Sequence, residues 1–308
     1  MPVFLISFNR GAMLQRAIAA IGRQARRTEI VIHDNGSTDP STLAILDDLE
    51  RGGIRVFRFP SIASADALNE VDRTVQAYFA ERGRLSAYAV SDCDIDLSVA
   101  DPRALDLYEE LLDRFRHVEC VGPMLRIRDI PRSYPLFNSV MEAHIEQFWR
   151  RRPAFVQTSA GEVAVLSGGV DTTFAVHRAG ASFRRHKPGL RVYEPFEALH
   201  LDWYTREEED DVYFDTSHPQ VSHWNNRDYR ARLRHQRLYH SKFYTVRRNA
   251  DGASEVHIEY LPDVPVFQAC LPGPRRVARK LKRRTRTIAT RLARTAAAIV
   301  ALIPESWL

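Results

Sequence analysis

The sequence predicts an α/β fold, in which a mixed, mainly parallel β-sheet is flanked by helices. Three observations favour this class. Short apolar segments alternate with segments of helical spacing over the first hundred residues. A polar stretch follows three of the strand patterns, as expected where strands end at the ligand-binding edge of an open sheet. The chain has 308 residues, of which 44% are hydrophobic and 27% charged, so it has the composition of a globular protein and ample length for a core.

The elements follow one another along the chain. Strand patterns occupy residues 3–7, 29–33, 54–59 and 87–91. Helix patterns occupy residues 13–21, 41–49, 66–79 and 105–115, and Ser41 is the expected N-cap of the second helix. From residue 117 to 270 the patterns are shorter and richer in aromatic residues and proline, which indicates mixed strands and long loops. We therefore predict one domain over residues 1–270, with a first half at 1–100 and a second half at 101–270.

Three polar stretches, at residues 8–10, 34–36 and 92–94, are expected to meet, because right-handed crossovers place the carboxyl ends of parallel strands at one sheet edge. The last stretch begins an acidic triplet in which Asp92, Asp94 and Asp96 alternate directly after an apolar strand. Carboxylates this close repel one another, and a Mg²⁺ or Mn²⁺ ion, which prefers oxygen ligands, offsets the repulsion. The alternative is an acidic surface turn or a helix N-cap, which Asp96 and Asp101 fit because both precede a helix pattern.

These stretches carry a resemblance to a known class of enzymes. The segments FLISFNRG at 4–11 and IVIHDNGSTDP at 30–40 resemble the first two nucleotide-binding loops of family 2 glycosyltransferases, whose usual second loop reads DDGSTD. The segment VSDCDIDL at 90–97 is similar to the D-x-D motif of these enzymes, especially to the SDVDL form of β-1,4-galactosyltransferases. The resemblance implies the Rossmann-like GT-A fold and transfer of a sugar from a uridine diphosphate sugar.

The resemblance also implies a donor site and a metal cofactor. The donor-binding residues that it implies are Ser7, Phe8, Asn9, Arg10, Asp34, Asp92 and Cys93. Asp34 would hydrogen-bond the nucleobase, and Asp92 would bind the ribose or the metal. Asp94 and His200 would hold Mn²⁺ or Mg²⁺, which neutralises charge on the leaving diphosphate. His223 competes with His200 for this role, and the alternative for either histidine is a structural one.

The second half resembles the class more loosely. In GGVDTTFAVHR, at 168–178, an acid follows two glycines, and inverting GT-A enzymes carry their catalytic base in a comparable region. This resemblance makes Asp171 the candidate that deprotonates the acceptor hydroxyl. The alternative is a turn cap before the next strand, in which case Glu194 or Glu197 is the candidate base.

Aromatic and basic residues of the second half have two interpretations each. The aromatic residues that would stack on an acceptor sugar, or else belong to the core, are Trp203, Tyr204 and Trp224. The basic residues that would contact the diphosphate, or else form a solvated loop, are Arg184, Arg185 and Lys187.

The tail, residues 271–308, differs from the rest of the chain. It has ten Lys or Arg residues and one acid, a net charge of +9, whereas the whole chain carries +5 and the preceding residues therefore −4. Apolar residues spaced by fours and sevens predict a basic amphipathic helix, which suits an anionic membrane surface near lipid-linked or membrane-emerging glycan acceptors. Docking on the protein's own body, an oligomer contact and RNA binding are the alternatives. The mildly acidic body argues against nucleic acid as a partner.

Further features indicate the compartment. Cys93, Cys120 and Cys270 form no disulfide pattern, which favours a reducing environment. The N-terminus has the pattern of a strand and lacks that of a signal peptide, and no apolar run is long enough to span a membrane. We expect a cytoplasmic protein, peripheral on the inner face of the cell membrane.

Two other functions compete with glycosyl transfer. Sugar-nucleotide nucleotidyltransferases share the type of sheet, but they open with a G-x-G-x-R loop followed by Pro-Lys, and FNRGAMLQRA at 8–17 lacks it. A nucleotide- or carbohydrate-binding module would keep the fold without catalysis. Turnover of a sugar nucleotide separates the module from the enzyme.

Overall fold

A nine-stranded sheet organises the part of the chain that the structure describes. The computed structural model describes residues 1–60, 70–134, 136–204, 213, 244–248 and 254–258, all within one compact unit, Met1–Asp263. The basic tail, His223, Trp224 and Cys270 lie outside the described residues. No helix in the described ranges is long and apolar enough to cross a membrane.

The N-terminal part alternates strands and helices as predicted. Its elements are β1 (Pro2–Ser7), α1 (Gly11–Ile21), β2 (Glu29–Asp34), α2 (Pro40–Arg51), β3 (Arg55–Arg58), α3 (Val71–Arg82) and β4 (Tyr88–Asp92). One boundary prediction was wrong. Asp39, not Ser41, is the N-cap of α2, because its carboxylate accepts a hydrogen bond from the Thr42 amide at 2.8 Å and Pro40 occupies the first helical position.

The C-terminal part has shorter strands and longer connections. It continues with β5 (Ile95–Asp96), a 3₁₀ turn (Leu97–Val99), α4 (Ala104–Arg114), β6 (Cys120–Pro123), α5 (Phe137–His144), a π-helical turn (Ile145–Trp149), β7 (Ala154–Thr158), β8 (Gly161–Val170), β9 (Ala175–His177), β10 (Lys187–Val192), β11 (Leu199–His200), a second 3₁₀ turn (Leu201–Tyr204), β12 (Tyr244–Arg248) and β13 (Ser254–Ile258). Its mixed strands agree with the pattern expected for the second half.

The strand order of the main sheet is β3-β2-β1-β4-β9-β6-β10-β8-β7. Strands β3, β2, β1 and β4 run parallel to one another, β6 runs parallel to β10, and the remaining pairs are antiparallel. The carboxyl ends of β1, β2 and β4 are therefore adjacent, which confirms the predicted mixed, mainly parallel sheet. A separate pair, β11 with β5, places His200 opposite Ile95 and so brings the late chain to the acidic turn.

Aromatic side chains fill the core on one face of the parallel strands. Phe4 of β1 is buried, and its ring lies edge-on to Tyr78 at 5.4 Å and to Tyr88 at 5.9 Å. Phe79 of α3 packs on the same three rings. Edge-to-face aromatic packing of this kind stabilises beyond the area that it buries, so it anchors α3 on the β1–β4 pair.

Gly122 of β6 allows the closest backbone approach in this part of the sheet. A Cβ atom at this position would lie 2.1 Å from the carbonyl oxygen of Phe174, a residue with a left-handed φ of 60°. Neither backbone can yield easily, because β6 pairs with β9 through Val121 and Val176.

Gly122→Ala is therefore expected to lower the free energy of unfolding by about 3 kcal/mol, the cost of an overpacked core that must shift backbone. Urea unfolding followed by circular dichroism measures it. Gly169→Ala in β8, where a Cβ would meet nothing within 4 Å, is the matched control and should not lose stability. Equal midpoints for the two variants would contradict the steric argument.

Candidate active site

The loops after β1 and β2 are tied together by Asn9. The Asn9 side-chain oxygen accepts hydrogen bonds from the backbone amides of Thr38 and Asp39 at 2.7 and 2.9 Å. The backbone amide of Asn9 donates to the Ser37 hydroxyl at 2.9 Å. Asn9 itself has a left-handed φ of 49°, a conformation that asparagine tolerates better than most residues. The structure thus brings the two predicted donor loops together and gives Asn9 a scaffolding role in them.

Asp34 and His33 occupy different surroundings at the end of β2. The Asp34 carboxylate accepts hydrogen bonds from the Ser37 amide at 3.0 Å and from the Ser37 hydroxyl at 2.5 Å, so both its oxygens have partners within the loop. His33 precedes the stretch that corresponds to DDGSTD, in which Asn35 stands at the second acid, and the His33 ring stacks on Phe59 at a centroid distance of 4.4 Å. Burial lowers the pKa of His33 to about 4, which keeps the imidazole neutral. His33 is therefore a core residue, and Asp34 orders its own loop.

The three acids of the triplet point to different partners. The Asp92 carboxylate accepts a hydrogen bond from the Thr172 hydroxyl. Its pKa is raised well above the ordinary range, mainly because the group is buried and secondly because the charge of Asp94 is near. Asp96 accepts from the Ser98 amide at 2.7 Å as the cap of the first 3₁₀ turn and pairs with Arg16 at 2.7 Å. Only Asp92 and Asp94 of the triplet thus face the candidate site.

Backbone hydrogen bonds fix this turn. The Cys93 amide donates to the Ile6 carbonyl at 3.0 Å, so the β4–β5 turn is held against the end of β1, where the buried Ser7 lies. The Cys93 thiol is buried, and burial raises its pKa, so it is no nucleophile. Asp101 accepts from the Arg103 amide at 2.9 Å in the turn before α4, whose N-cap is Arg103, so Asp101 fits the interpretation as an acidic turn, whereas Asp96 is a helix cap.

Asp94 belongs to a buried ion-pair network with Arg10. One guanidinium nitrogen, Nη1 of Arg10, lies 2.7 Å from Asp94 Oδ2, and the other, Nη2, lies 2.5 Å from Asp202 Oδ1. Asp94 is 7% exposed, and its second oxygen, Oδ1, is buried without a hydrogen-bond partner. Buried carboxylate oxygens are seldom left unpaired, so this atom is a candidate ligand atom for a cation.

His200 lies beside Asp94 on a support formed by Trp203. Its Nε2 atom is 4.0 Å from Asp94 Oδ2, and its ring stacks on Trp203 at 4.6 Å with an interplanar angle of 4°. His144 covers Trp203 edge-on at 4.6 Å, and Trp203 is 2% exposed. This placement argues against the acceptor-stacking role predicted for Trp203, because its ring is enclosed. Trp203 instead orients His200.

Tyr204 is less enclosed than Trp203. Its hydroxyl donates a hydrogen bond of 2.7 Å to Asp129 Oδ1, and burial together with this bond raises its pKa. The acceptor-binding role of Tyr204 remains a prediction.

Phe8, a predicted donor-binding residue, follows β1. Its ring lies edge-on to that of Tyr213 at a centroid distance of 6.1 Å.

Asp171, the predicted base, is held by Arg185. The two side chains form a bidentate ion pair with distances of 2.5 and 3.1 Å, and His186 Nε2 lies 3.8 Å from the same carboxylate. The carbonyl of the adjacent Thr172 accepts a hydrogen bond from the Asp92 amide at 2.7 Å, which places Asp171 and Arg185 beside the acidic turn.

The alternative acids are placed less favourably. Glu197 is fully buried and paired with Arg126 at 2.9 Å and Arg128 at 2.5 Å. Glu194 is exposed and pairs with Arg128 at 3.0 Å. Neither shares a partner with Asp92 or Asp94 among the described contacts.

The three basic residues near position 185 separate in the structure. Arg184 forms an exposed ion pair with Glu119. Lys187 is 3% exposed, its Nζ atom lies 3.2 Å from His177 Nδ1, and burial lowers its pKa to about 8. These placements argue against a diphosphate role for Arg184 and Lys187, because one is paired away from the acidic turn and the other is enclosed. Arg185 remains the candidate.

The sequence interpretation missed Asp202, Thr172 and Tyr213. Asp202 follows His200 by two residues in LHLDWY, and that spacing was the available signal. Tyr213 lies with its ring centroid 3.5 Å from the guanidinium carbon of Arg10, a cation–π contact that no sequence pattern indicates.

The side chains of Asp94 and His200 suit a hard cation that also binds a substrate. Within the described ranges, no three His, Cys, Asp or Glu side chains form a complete metal site. Mg²⁺ and Mn²⁺ commonly bind one or two carboxylates and complete their coordination with substrate phosphates and water. Asp94, with its unpartnered Oδ1, and the adjacent His200 therefore fit such an ion, provided that the phosphates of a substrate supply further oxygen ligands.

One family model matches the chain. Residues 3–77 match the model described as Glycosyl transferase family 2, and they include both loops after β1 and β2. The match confirms the predicted resemblance for this part of the chain and supports a glycosyltransferase. Among curated proteins, none matches the chain in sequence.

Solved structures of glycosyltransferases are similar to part of the chain, at low identity and low TM-score. A mannosyltransferase from Pyrobaculum calidifontis, PcManGT, in complex with GDP-Man and Mn²⁺, is 16% identical over 57% of this chain and 44% of its own, with a TM-score of 0.34. S. aureus TarS 1-349 is 13% identical over 57% and 46%, with a TM-score of 0.34. GalNAc-T7 with UDP, GalNAc and Mn²⁺ is 18% identical over 40% and 22%, with a TM-score of 0.30. The chain thus covers less than half of each of these proteins.

Proposed function

We propose that the protein is a metal-dependent, inverting glycosyltransferase that moves a sugar from a uridine diphosphate sugar to a hydroxyl group of a glycan or lipid-linked acceptor. The observation that carries the proposal is the position of Asp94. One oxygen of its carboxylate, Oδ1, is buried without a partner, and the other, Oδ2, lies 4.0 Å from His200 Nε2. Both lie at the carboxyl edge of a sheet whose first two loops fall within the match to the family 2 glycosyltransferase model.

The charge balance of the site supports a divalent cation. Four carboxylates, those of Asp92, Asp94, Asp171 and Asp202, are described there against three guanidinium groups, those of Arg10, Arg185 and Arg191. With Asp92 protonated, these charges balance. A diphosphate adds negative charge that they do not offset, so a divalent cation that it brings or meets there is needed to offset the repulsion.

Each side chain then has a defined task. Asp94 and His200 would hold the cation, which supplies charge neutralisation to the leaving diphosphate. Asp171 would accept the proton of the acceptor hydroxyl as that oxygen attacks the anomeric carbon. Arg185 fixes the Asp171 carboxylate by two hydrogen bonds, so the base has a fixed orientation before the acceptor binds.

A donor screen tests the proposal. The full chain is incubated with a panel of glycan acceptors and with UDP-glucose, UDP-galactose, UDP-N-acetylglucosamine or GDP-mannose, each with Mn²⁺ and each with EDTA. Donor binding is measured by calorimetry, and turnover is measured as release of the nucleoside diphosphate. We expect metal-dependent release with a uridine-linked donor. Binding without turnover for every donor and acceptor would favour the binding module, and pyrophosphate-dependent formation of a nucleoside triphosphate would favour the nucleotidyltransferase.

The acceptor and the membrane form the second part of the proposal. The tail, residues 271–308, carries a net charge of +9, and each cation near an anionic surface contributes about 1 kcal/mol to binding. Tail binding would hold the enzyme on the inner face of the cell membrane, close to lipid-linked or membrane-emerging acceptors.

Truncation after Leu271 is accordingly expected to abolish sedimentation with anionic liposomes at physiological salt. Circular dichroism of the truncated chain controls for folding, and zwitterionic liposomes control for non-electrostatic binding. Unchanged sedimentation of the truncated chain would show that the tail is not the membrane contact.

A further inference from the structure

We propose that Arg10 competes with the divalent cation for Asp94, so that the metal binds tightly only together with a diphosphate. This inference rests on the proposed function and adds an order of binding to it. When no sugar nucleotide is bound, Arg10 would neutralise the negative charge of the site. It would also position the carboxylates of Asp94 and Asp202.

The guanidinium of Arg10 spans two carboxylates that come from distant parts of the chain. Nη1 lies 2.7 Å from Asp94 Oδ2 after β4, and Nη2 lies 2.5 Å from Asp202 Oδ1 after β11. Arg10 is 7% exposed, and its guanidinium carbon lies 3.5 Å from the ring centroid of Tyr213. A rigid fork with an aromatic ring on one face is a geometry that arginine provides and lysine does not.

The competition arises because both cations need the same carboxylate. The Asp94 oxygen that Arg10 holds, Oδ2, is also the oxygen nearest to His200 Nε2, at 4.0 Å. A metal ion that bound either oxygen of Asp94 would therefore share this carboxylate with a positively charged group or displace that group. Two cations on one buried carboxylate repel strongly, since the interior screens charge poorly.

A diphosphate removes this obstacle. Phosphate oxygens accept the two parallel hydrogen bonds of a guanidinium as well as a carboxylate does, so a donor at the sheet edge offers Arg10 a second partner. The same diphosphate supplies oxygen ligands to the metal. Arg10 can keep its bond to Asp202 while it gives up Asp94, so the metal and the donor each favour the binding of the other.

Manganese titrations test the coupling. Free Mn²⁺ is measured by electron paramagnetic resonance during titration of the full chain, with and without UDP. The wild-type protein should bind Mn²⁺ about tenfold or more tightly when UDP is present, a typical coupling between two linked ligands. Arg10→Gln should raise the Mn²⁺ affinity measured without UDP by about tenfold, and the difference made by UDP should shrink by a similar factor.

Two further variants make the result specific. Arg16→Gln removes the 2.7 Å ion pair between Arg16 of α1 and Asp96 of β5. Among the described contacts this pair does not include Asp94 or His200, so its loss should change neither affinity. Arg10→Lys keeps a positive charge in the buried site, which protects folding, but one ammonium group cannot bridge both carboxylates. Its Mn²⁺ affinity without UDP should therefore rise by a smaller factor than that of Arg10→Gln.

The outcomes separate this inference from the proposed function. If the wild-type protein binds Mn²⁺ more tightly with UDP while both Arg10 variants bind it alone no better than wild type, the competition is wrong and the metal site stands. If no form binds Mn²⁺ even with UDP, the metal-dependent function itself is wrong. A gain in Arg10→Gln that persists when Asp94→Asn is added would place the metal elsewhere and would also overturn the inference.

Discussion

Asp94→Asn is expected to lower the rate of sugar transfer about a thousandfold, the upper range for loss of one preorganised electrostatic group from an active site. Asparagine keeps the shape of the side chain and an oxygen that can accept the 2.7 Å hydrogen bond from Arg10, so the ion-pair network retains its geometry. The amide, however, is a neutral and poor ligand for a hard cation. The measurement is nucleoside diphosphate release with saturating Mn²⁺ and donor.

Asp96→Asn is the matched control. It makes the same chemical change two residues further along, in an acid that caps the first 3₁₀ turn and pairs with Arg16. The capping oxygen survives in asparagine, so activity should stay within a few-fold of wild type. Equal losses in the two variants would mean that the whole turn, and not the Asp94 carboxylate, is needed; near-normal turnover in Asp94→Asn would remove Asp94 from the metal site.

The first half of the fold could be predicted because its information is local. Strands β1, β2 and β4 are buried apolar runs, and each is followed at once by the polar residues that form the site. Parallel strands with right-handed connections leave no choice about which ends meet. The convergence of residues 8–10 with 92–94 thus follows from a pattern rule, and the hydrogen bond from the Cys93 amide to the Ile6 carbonyl shows it directly.

The second half could not be predicted in the same way, because its contacts join distant residues. Arg10 and Asp202 are 192 positions apart, and no periodicity indicates which of several acids an arginine will meet. Strand β11 has two residues and pairs with a two-residue β5, so neither has enough alternation to be detected. The position of His200 depends on that pairing.

Trp203 shows that the type of a residue does not by itself predict the role of its side chain. An aromatic residue near a predicted sugar site can stack on a ligand or support a neighbouring side chain, and composition does not separate the two. The structure decides by burial, since His200 and His144 both contact the Trp203 ring. We therefore expect Trp203 to act only through the orientation of His200.

Asp171→Asn is expected to lower the rate of transfer by about a hundredfold or more, the usual contribution of a positioned general base. The argument requires an acid that lies at the sheet edge but does not hold the donor. Asp171 meets the first condition because the carbonyl of its neighbour Thr172 accepts a hydrogen bond from the Asp92 amide at 2.7 Å. Asparagine can still accept a hydrogen bond from Arg185 through its oxygen, so the shape of the site is kept, but it cannot take the proton.

Donor affinity separates a base from a binding residue. Affinity for the uridine diphosphate sugar should change little in Asp171→Asn, because a group that acts only as the proton leaves the acceptor contributes nothing to ground-state donor binding. Calorimetry for donor binding and a product assay for turnover, on one preparation, give both quantities. A large loss of donor affinity would make Asp171 a donor-site residue.

Glu194→Gln, measured in parallel, tests the remaining accessible acid. Glu197 is fully buried between Arg126 and Arg128, so an acceptor hydroxyl would have to displace two ion pairs to reach it, whereas Glu194 is exposed. If Asp171→Asn turns over at a near-normal rate and Glu194→Gln does not, the role of base passes to Glu194. If turnover falls only in Asp171→Asn and donor binding is kept, Asp171 is the base. The bidentate ion pair with Arg185 then holds its carboxylate in position before the acceptor binds.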